Sequence, residues 1–169
     1  MIKFEKVPFK QFKADWNKCF GKLKETMLKE IYEDLKLPRR ATEGSAGYDF
    51  FLPIDVSFIA EDNVLIPTGI RFVTDETDKV LLMLPRSGLG FKYGARLINT
   101  VGVIDQDYQF AANSGHIMVK INCENSFYLK AGDAFCQGII TQYYITVDDS
   151  ENVKEKRVGG FGSTSELKG

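Results

Sequence analysis

Between Phe9 and Leu35 apolar side chains return every three or four positions, at Phe9, Phe12, Trp16, Cys19, Phe20, Leu23, Met27, Ile31 and Leu35. A helix turns once in about 3.6 residues, so this spacing gathers them into one stripe and predicts an amphipathic helix. Lysines and acids fill the opposite face. Gly21 falls inside the pattern and costs about 1 kcal/mol relative to alanine in a helix interior, so two shorter helices satisfy the spacing as well. Pro38 closes the segment, because it disfavours helical geometry at Leu37. Residues 1–37 are therefore expected to form a helical arm, packed on the rest of the chain or on a neighbouring subunit.

From Ala46 the texture changes to short runs such as YDFFLP, NVLIPTGIRFVT, KVLLMLP, HIMVKINCEN and AFCQGIITQYYITV, separated by turn residues. Several alternate with period two, as do Ile117, Val119 and Ile121 against His116, Met118 and Lys120, which predicts half-buried strands. No helix-length periodic run interrupts them, which argues against βαβ units. The expected fold class is all-β, a jelly roll or distorted β-barrel over residues 38–150 with an N-terminal helical extension. Residues 151–169 are polar and glycine-rich, and are expected to be a mobile segment of the same domain.

Composition narrows the chemistry. At 169 residues the chain can bury a core of its own. A net charge of -1 gives no broad basic face, which argues against nucleic-acid binding, so any phosphate ligand must be held by a few placed groups. Cys19, Cys123 and Cys136 show no CxxC spacing and read as small buried hydrophobes in a reducing compartment. The N-terminus lacks the apolar core of a signal peptide, and no apolar run approaches a membrane span. A cytoplasmic protein without membrane contact is expected. The one histidine, His116, lies in a strand-like run, so Ser-His-Asp and Cys-His schemes lack their base. No His/Cys cluster suits zinc. No GxxxxGK[ST] loop exists, and the glycines of Gly88-Leu-Gly90 and Gly159-Gly-Phe-Gly162 are not expected between a strand and a helix as a dinucleotide site requires.

What remains is carboxylates, hydroxyls, glycines and an arginine. Pro85-Arg-Ser-Gly-Leu-Gly90 follows an apolar run, so Arg86 and Ser87 are expected where a strand enters a turn. A guanidinium fork, a hydroxyl and backbone N–H groups beside glycine suit phosphate oxygens, although a solvent turn with a surface arginine reads equally well from six residues. Gly102-Val-Ile-Asp-Gln-Asp-Tyr108 places two carboxylates and a tyrosine at a strand end or hairpin. A carboxylate there can deprotonate water and the ring can pack on a sugar or base; standing alone, the segment is more often an acidic turn with a half-buried tyrosine.

Taken in order, Ala46-Gly-Tyr-Asp49, Pro85–Gly90, Asn99–Tyr108, Gly132-Asp-Ala-Phe-Cys-Gln137 and Gly159-Gly-Phe-Gly-Ser-Thr164, with the link Leu65-Ile-Pro-Thr-Gly69, resemble the five motifs of the trimeric dUTPase family of bacterial or phage type. The resemblance implies a jelly-roll homotrimer with active sites shared between subunits. It implies hydrolysis of dUTP to dUMP and pyrophosphate, which limits uracil in DNA and supplies dUMP for dTMP synthesis. Asp105 matches the general base and Gln137 a glutamine near the α-phosphate. Arg86, Ser87 and Gly88 match the phosphate-binding motif, Asn99, Gly102 and Val103 the uracil hairpin, and Tyr108 the ring beneath the deoxyribose. Asp49 matches the aspartate reached by the waters of Mg²⁺, which otherwise sits on the triphosphate. In the tail, Phe161 matches the ring that stacks on uracil, while Gly162, Ser163 and Thr164 match the cover over the γ-phosphate. Arg157, or Lys156 one position earlier, matches that motif's arginine.

Departures from the pattern are Ala134 where arginine is usual, extra residues from Gln109 to Ser114 before Gly115, and Ser165 in place of a glycine. Two other readings are a deaminase of dCTP on the same fold and a nucleotide-dependent binder of a regulatory protein partner. Asp105 in its VIDxDY setting argues against the first, and the presence of the matched catalytic groups leaves the second compatible with catalysis.

Overall fold

The apolar stripe at the N-terminus resolves into two helices, α1 (Phe9–Phe20) and α2 (Glu25–Glu33), with the chain turning away at Gly21. The structure, a computed structural model, describes residues 1–151 and Lys154. The break resets the helical phase. Met27, on the stripe of a continuous helix, is exposed, and Leu28 beside it is fully buried. Phe12, Trp16, Leu28 and Leu35 form a cluster of their own, with Val7. Truncating a leucine buried in this way costs about 2–5 kcal/mol, so packing anchors the arm firmly.

Two features of the arm depart from expectation. Ile2–Lys6 is a strand, β1, rather than part of a helical extension. It pairs antiparallel with β6 (Ile70–Thr74), from Ile2 opposite Thr74 to Lys6 opposite Ile70. The alternation of Ile2 and Phe4 with Lys3 and Glu5 was the signal, and the Phe4 ring packs against Tyr48, Phe50 and Phe72. Asp15, expected on the charged face of α1, is instead buried.

The partner of Asp15 explains this. The carboxylate lies 2.7 Å from Nδ1 of His116, which has no exposed surface. Backbone N–H of Gly69 donates to the other ring nitrogen, Nε2, at 2.8 Å. Nε2 is therefore the acceptor, which leaves the proton on Nδ1 for donation to Asp15. Burial pushes the Asp15 carboxyl up, but hydrogen bonds from His116, Gln11 and Lys18 outweigh it and hold the pKa at about 2. Gly69 makes the docking point. Its φ is 74°, a Cβ there would meet Leu35 Cδ1 at 2.3 Å, and its carbonyl accepts the Val7 N–H at 2.9 Å. The alternation around Ile117 thus holds for Val119 and Ile121, whereas His116 is buried too, because the strand begins only at Met118.

The remaining strands are β2 (Arg39–Arg40), β3 (Gly47–Phe51), β4 (Val56–Phe58), β5 (Asn63–Pro67), β7 (Lys79–Pro85), β8 (Arg96–Leu97), β9 (Gly102–Ile104), β10 (Met118–Asn122), β11 (Phe127–Leu129) and β12 (Ala134–Gln142). Among the described residues the largest sheet runs β2-β3-β12-β7-β9, beside β5-β10-β8 and the pairs β11-β4 and β1-β6. Every pairing is antiparallel. The result is a jelly-roll-type all-β fold in separate sheets, not a closed barrel. Phe50, Phe58, Ile66, Leu81, Ile121 and Phe135 fill the space between them. No helix among the described residues is long and apolar enough to cross a membrane.

Candidate active site

In the central sheet Gln137 stands directly opposite Asp49, so their side chains leave the same face. The register shifts between Ala134 and Cys136, a bulge that re-aims this end of β12. On its other side β12 lies along β7, and Gln137 Nε2 donates to the Pro85 carbonyl at 3.0 Å. Arg86 follows Pro85 in extended geometry, and its guanidinium turns back over the strand ends. Nε lies 3.2 Å from Asp49 Oδ1, and Nη1 donates to the Ala134 carbonyl at 3.2 Å.

The chain then enters a short helix, α3 (Ser87–Tyr93), instead of the turn expected from sequence. Gly88 and Gly90 therefore do follow a strand and lie in a helix, contrary to expectation, though without the spacing of a dinucleotide fingerprint. Ser45, Gly47, Asp49, Arg86, Ser87 and Gln137 line a groove of about 460 Å³, with Gly88 beside them. Helix-start N–H groups have no acceptor within the helix, so Ser87, Gly88 and the Arg86 fork offer donors to an anion. Arg39, which sequence reasoning passed over, stands opposite Asp49 on the edge strand, with its guanidinium 5.5 Å from the Phe51 ring. Phe51 pairs with Ala134. At the position where the resemblance expects an arginine, Arg86 thus reaches the Ala134 carbonyl, and Arg39 lies over the ring of Ala134's strand partner.

The other candidate residues lie elsewhere in the same sheet. In β9, Gly102 faces β7 so closely that a Cβ would sit 3.0 Å from Met83 Cβ and 3.5 Å from Asn99 Nδ2. Asn99 and Val103 are exposed. Asp105 follows β9 and leads into a 3-10 turn, Gln106–Phe110. Tyr108, whose ring the resemblance sets beneath a sugar, is only 4% exposed and belongs to the core. Its hydroxyl donates to the His116 carbonyl at 2.9 Å and accepts from Asn113 Nδ2 at 2.7 Å. The extra residues are tied down, since Gln109 Nε2 donates to the Thr74 carbonyl at 2.8 Å, while Phe110 is exposed.

These two groups do not meet within one chain. Leu81 pairs with Ile104 and Met83 with Gly102, so Asp105 lies beside Val80, six residues along β7 from Arg86. At about 3.3 Å per residue that is a separation of roughly 20 Å. Arg157, Phe161, Gly162, Ser163 and Thr164 lie outside the described residues.

Asp49 is the carboxylate lining the groove. Among the described residues no three His, Cys, Asp or Glu side chains gather closely enough to hold a metal ion. This donor set fits Mg²⁺ only as an ion carried chiefly by a polyphosphate and its waters, a mode this hard cation accepts readily. Cys136, beneath the groove, is a packing residue, because burial pushes its thiol well above the ordinary range.

A family model for dUTPase matches residues 33–165. The deoxyuridine 5'-triphosphate nucleotidohydrolase of Lactococcus lactis is 38% identical over 133 residues, covering 77% of this chain and 88% of its own length. That of Aeromonas salmonicida is 37% identical over 141 residues, covering 79% and 90%. The crystal structure of dUTPase from Streptococcus mutans superposes with a TM-score of 0.58 at 35% identity, over 68% of this chain and 90% of that one. A mutant dUTPase from phage phi11 of S. aureus, described with a structural Mg(II) ion, shares the fold at a TM-score of 0.61 and 16% identity, over 92% and 95%.

Proposed function

Because the chain belongs to the dUTPase family, we propose that it is a dUTP diphosphatase, releasing dUMP and pyrophosphate by attack of water on the α-phosphorus. The observation that carries this reading is the groove in which Asp49 of β3, Gln137 of β12 and Arg86, just past the end of β7, converge, with Ser87 and Gly88 beside them. It offers N–H and guanidinium donors where a triphosphate needs them. Asp105 is the general base, and Asn99, Gly102 and Val103 present the polar backbone and side-chain edge that reads uracil. A site that must pair its own buried donors and acceptors discriminates strongly against a wrong base.

The roughly 20 Å between Asp105 and Arg86 in one chain calls for a site shared between subunits, one supplying Asp105 and another the phosphate groove, within the homotrimer that the family resemblance implies. Phe161, Gly162, Ser163, Thr164 and Arg157 complete that site from the C-terminal segment. Asp49 would hold Mg²⁺ only through water, and the ion, when bound, would supply charge neutralisation on the phosphate oxygens. Arg86 and the helix-start N–H groups orient the chain of phosphates, and Gln137 orients the group attacked. The cytoplasm, where nucleotides are made, is the compartment this activity serves.

Incubating the purified protein with Mg²⁺ and dUTP, with dTTP, dCTP and UTP in parallel, tests the proposal. Pyrophosphate and dUMP should appear from dUTP at a rate at least about 10² times that from the others, given the discrimination a hydrogen-bonding pocket provides. Ammonia release from dCTP, or no release from dUTP, would overturn it.

A further inference from the structure

We propose that the N-terminal arm takes part in catalysis, with Asp15 and His116 as positioning residues that hold the Asp105–Tyr108 segment in place. The inference rests on the role given to Asp105 above. Its carrier is a series of hydrogen-bonded residues that runs from the arm to the backbone of Asp105. Gln11 Nε2 donates to Asp15 Oδ2 at 2.7 Å, and His116 Nδ1 meets the same oxygen at 2.7 Å. Gly69 N–H holds the far side of the ring at 2.8 Å. With both ring nitrogens engaged, His116 is fixed, and its carbonyl accepts from the Tyr108 hydroxyl at 2.9 Å and from Asn113 Nδ2 at 3.2 Å. Tyr108 N–H then donates to the carbonyl of Asp105 itself at 3.1 Å.

The line runs through the interior. Asp15, His116 and Tyr108 are 6%, 0% and 4% exposed, so loss of one member leaves a buried polar group short of its partner. Phe12 of α1 packs on the imidazole from the arm side at 6.2 Å between rings. An anchor for the arm alone would need only the apolar cluster around Leu28. The polar line reaches past that cluster into the turn bearing the base, where displacement of about 1 Å is enough to cost rate.

Three variants separate positioning from simple anchoring. Asp15→Ala should lower kcat for dUTP about tenfold with KM within about twofold. Asp15→Asn keeps an oxygen for the Nδ1–H and should restore most of the rate. Leu28→Ala loosens the arm through packing alone and should lower the melting temperature while leaving kcat below that temperature unchanged. Should Asp15→Ala fail to fold, Gln11→Ala removes one of the donors to Asp15 and should lower kcat about threefold.

Amide hydrogen exchange supplies a readout independent of turnover. Peptides covering 105–117 should exchange faster in Asp15→Ala, or in Gln11→Ala, than in Leu28→Ala. Wild-type kcat in Asp15→Ala and Gln11→Ala, an equal loss in Leu28→Ala, or unchanged exchange over 105–117 in Asp15→Ala and Gln11→Ala would each overturn the proposal. If the wild-type protein released nothing from dUTP, the functional reading would fall and the exchange comparison would still decide whether the arm holds this segment.

Discussion

Replacing Asp105 with asparagine is expected to abolish turnover of dUTP while the protein stays folded and still binds nucleotide. The substitution is nearly isosteric and removes the charge and with it the basicity. A carboxylate positioned on the attacking water contributes about 10²–10⁴-fold, and an amide at the same place contributes none of it. Asp105 enters the 3-10 turn in extended geometry, a backbone that asparagine adopts as readily, so the local fold tolerates the change. Steady-state kinetics beside titration with a non-hydrolysable dUTP analogue checks both halves. A variant that turned over at the wild-type rate would remove Asp105 from the chemistry.

The second large effect is expected at Arg86. Its guanidinium lies against Asp49 and donates to the Ala134 carbonyl from a position 41% exposed, so an alanine there should change stability little. It should lower kcat/KM by about 10²–10³, the scale on which loss of one preorganised donor to developing charge is felt. Arg86→Lys should rescue poorly, since a single ammonium cannot reproduce a planar fork that serves a carboxylate and a carbonyl together. Kinetics with dUTP at saturating Mg²⁺ decides the matter, and an alanine variant within about twofold of wild type in kcat/KM would show that the groove is not where the phosphates lie.

Much of this molecule was legible in its sequence, for physical reasons. The spacing from Phe9 to Leu35 reported an amphipathic helix because each buried position repeats with the turn, and Gly21 marked the break. Val119 and Ile121 reported a strand because one face of β10 is buried. The ordered motifs brought Asp49, Arg86 and Gln137 to notice, and strand pairing sets them around one groove.

What was not legible depended on contacts distant in the chain. Asp15 looks like a surface acid because its partner, His116, is 101 residues away. Met27 and Leu28 exchange roles because the phase of α2 is set by packing, not by the stripe of α1. Arg39 carried no motif, and its relation to the groove comes only from pairing with β3. Tyr108 packs in the core with its hydroxyl satisfied by the carbonyl of His116, a contact that no pattern of residue types encodes.

If dUTP is hydrolysed at sites built from two subunits, mixing two inactive variants should restore activity. Asp105→Asn and Arg86→Ala chains, co-refolded in equal amounts, should regain about one quarter of wild-type activity by random assortment, because some sites then combine an intact base with an intact groove. If each chain carried a whole site, the mixture would show no activity beyond that of its two parents, and the shared site would be contradicted.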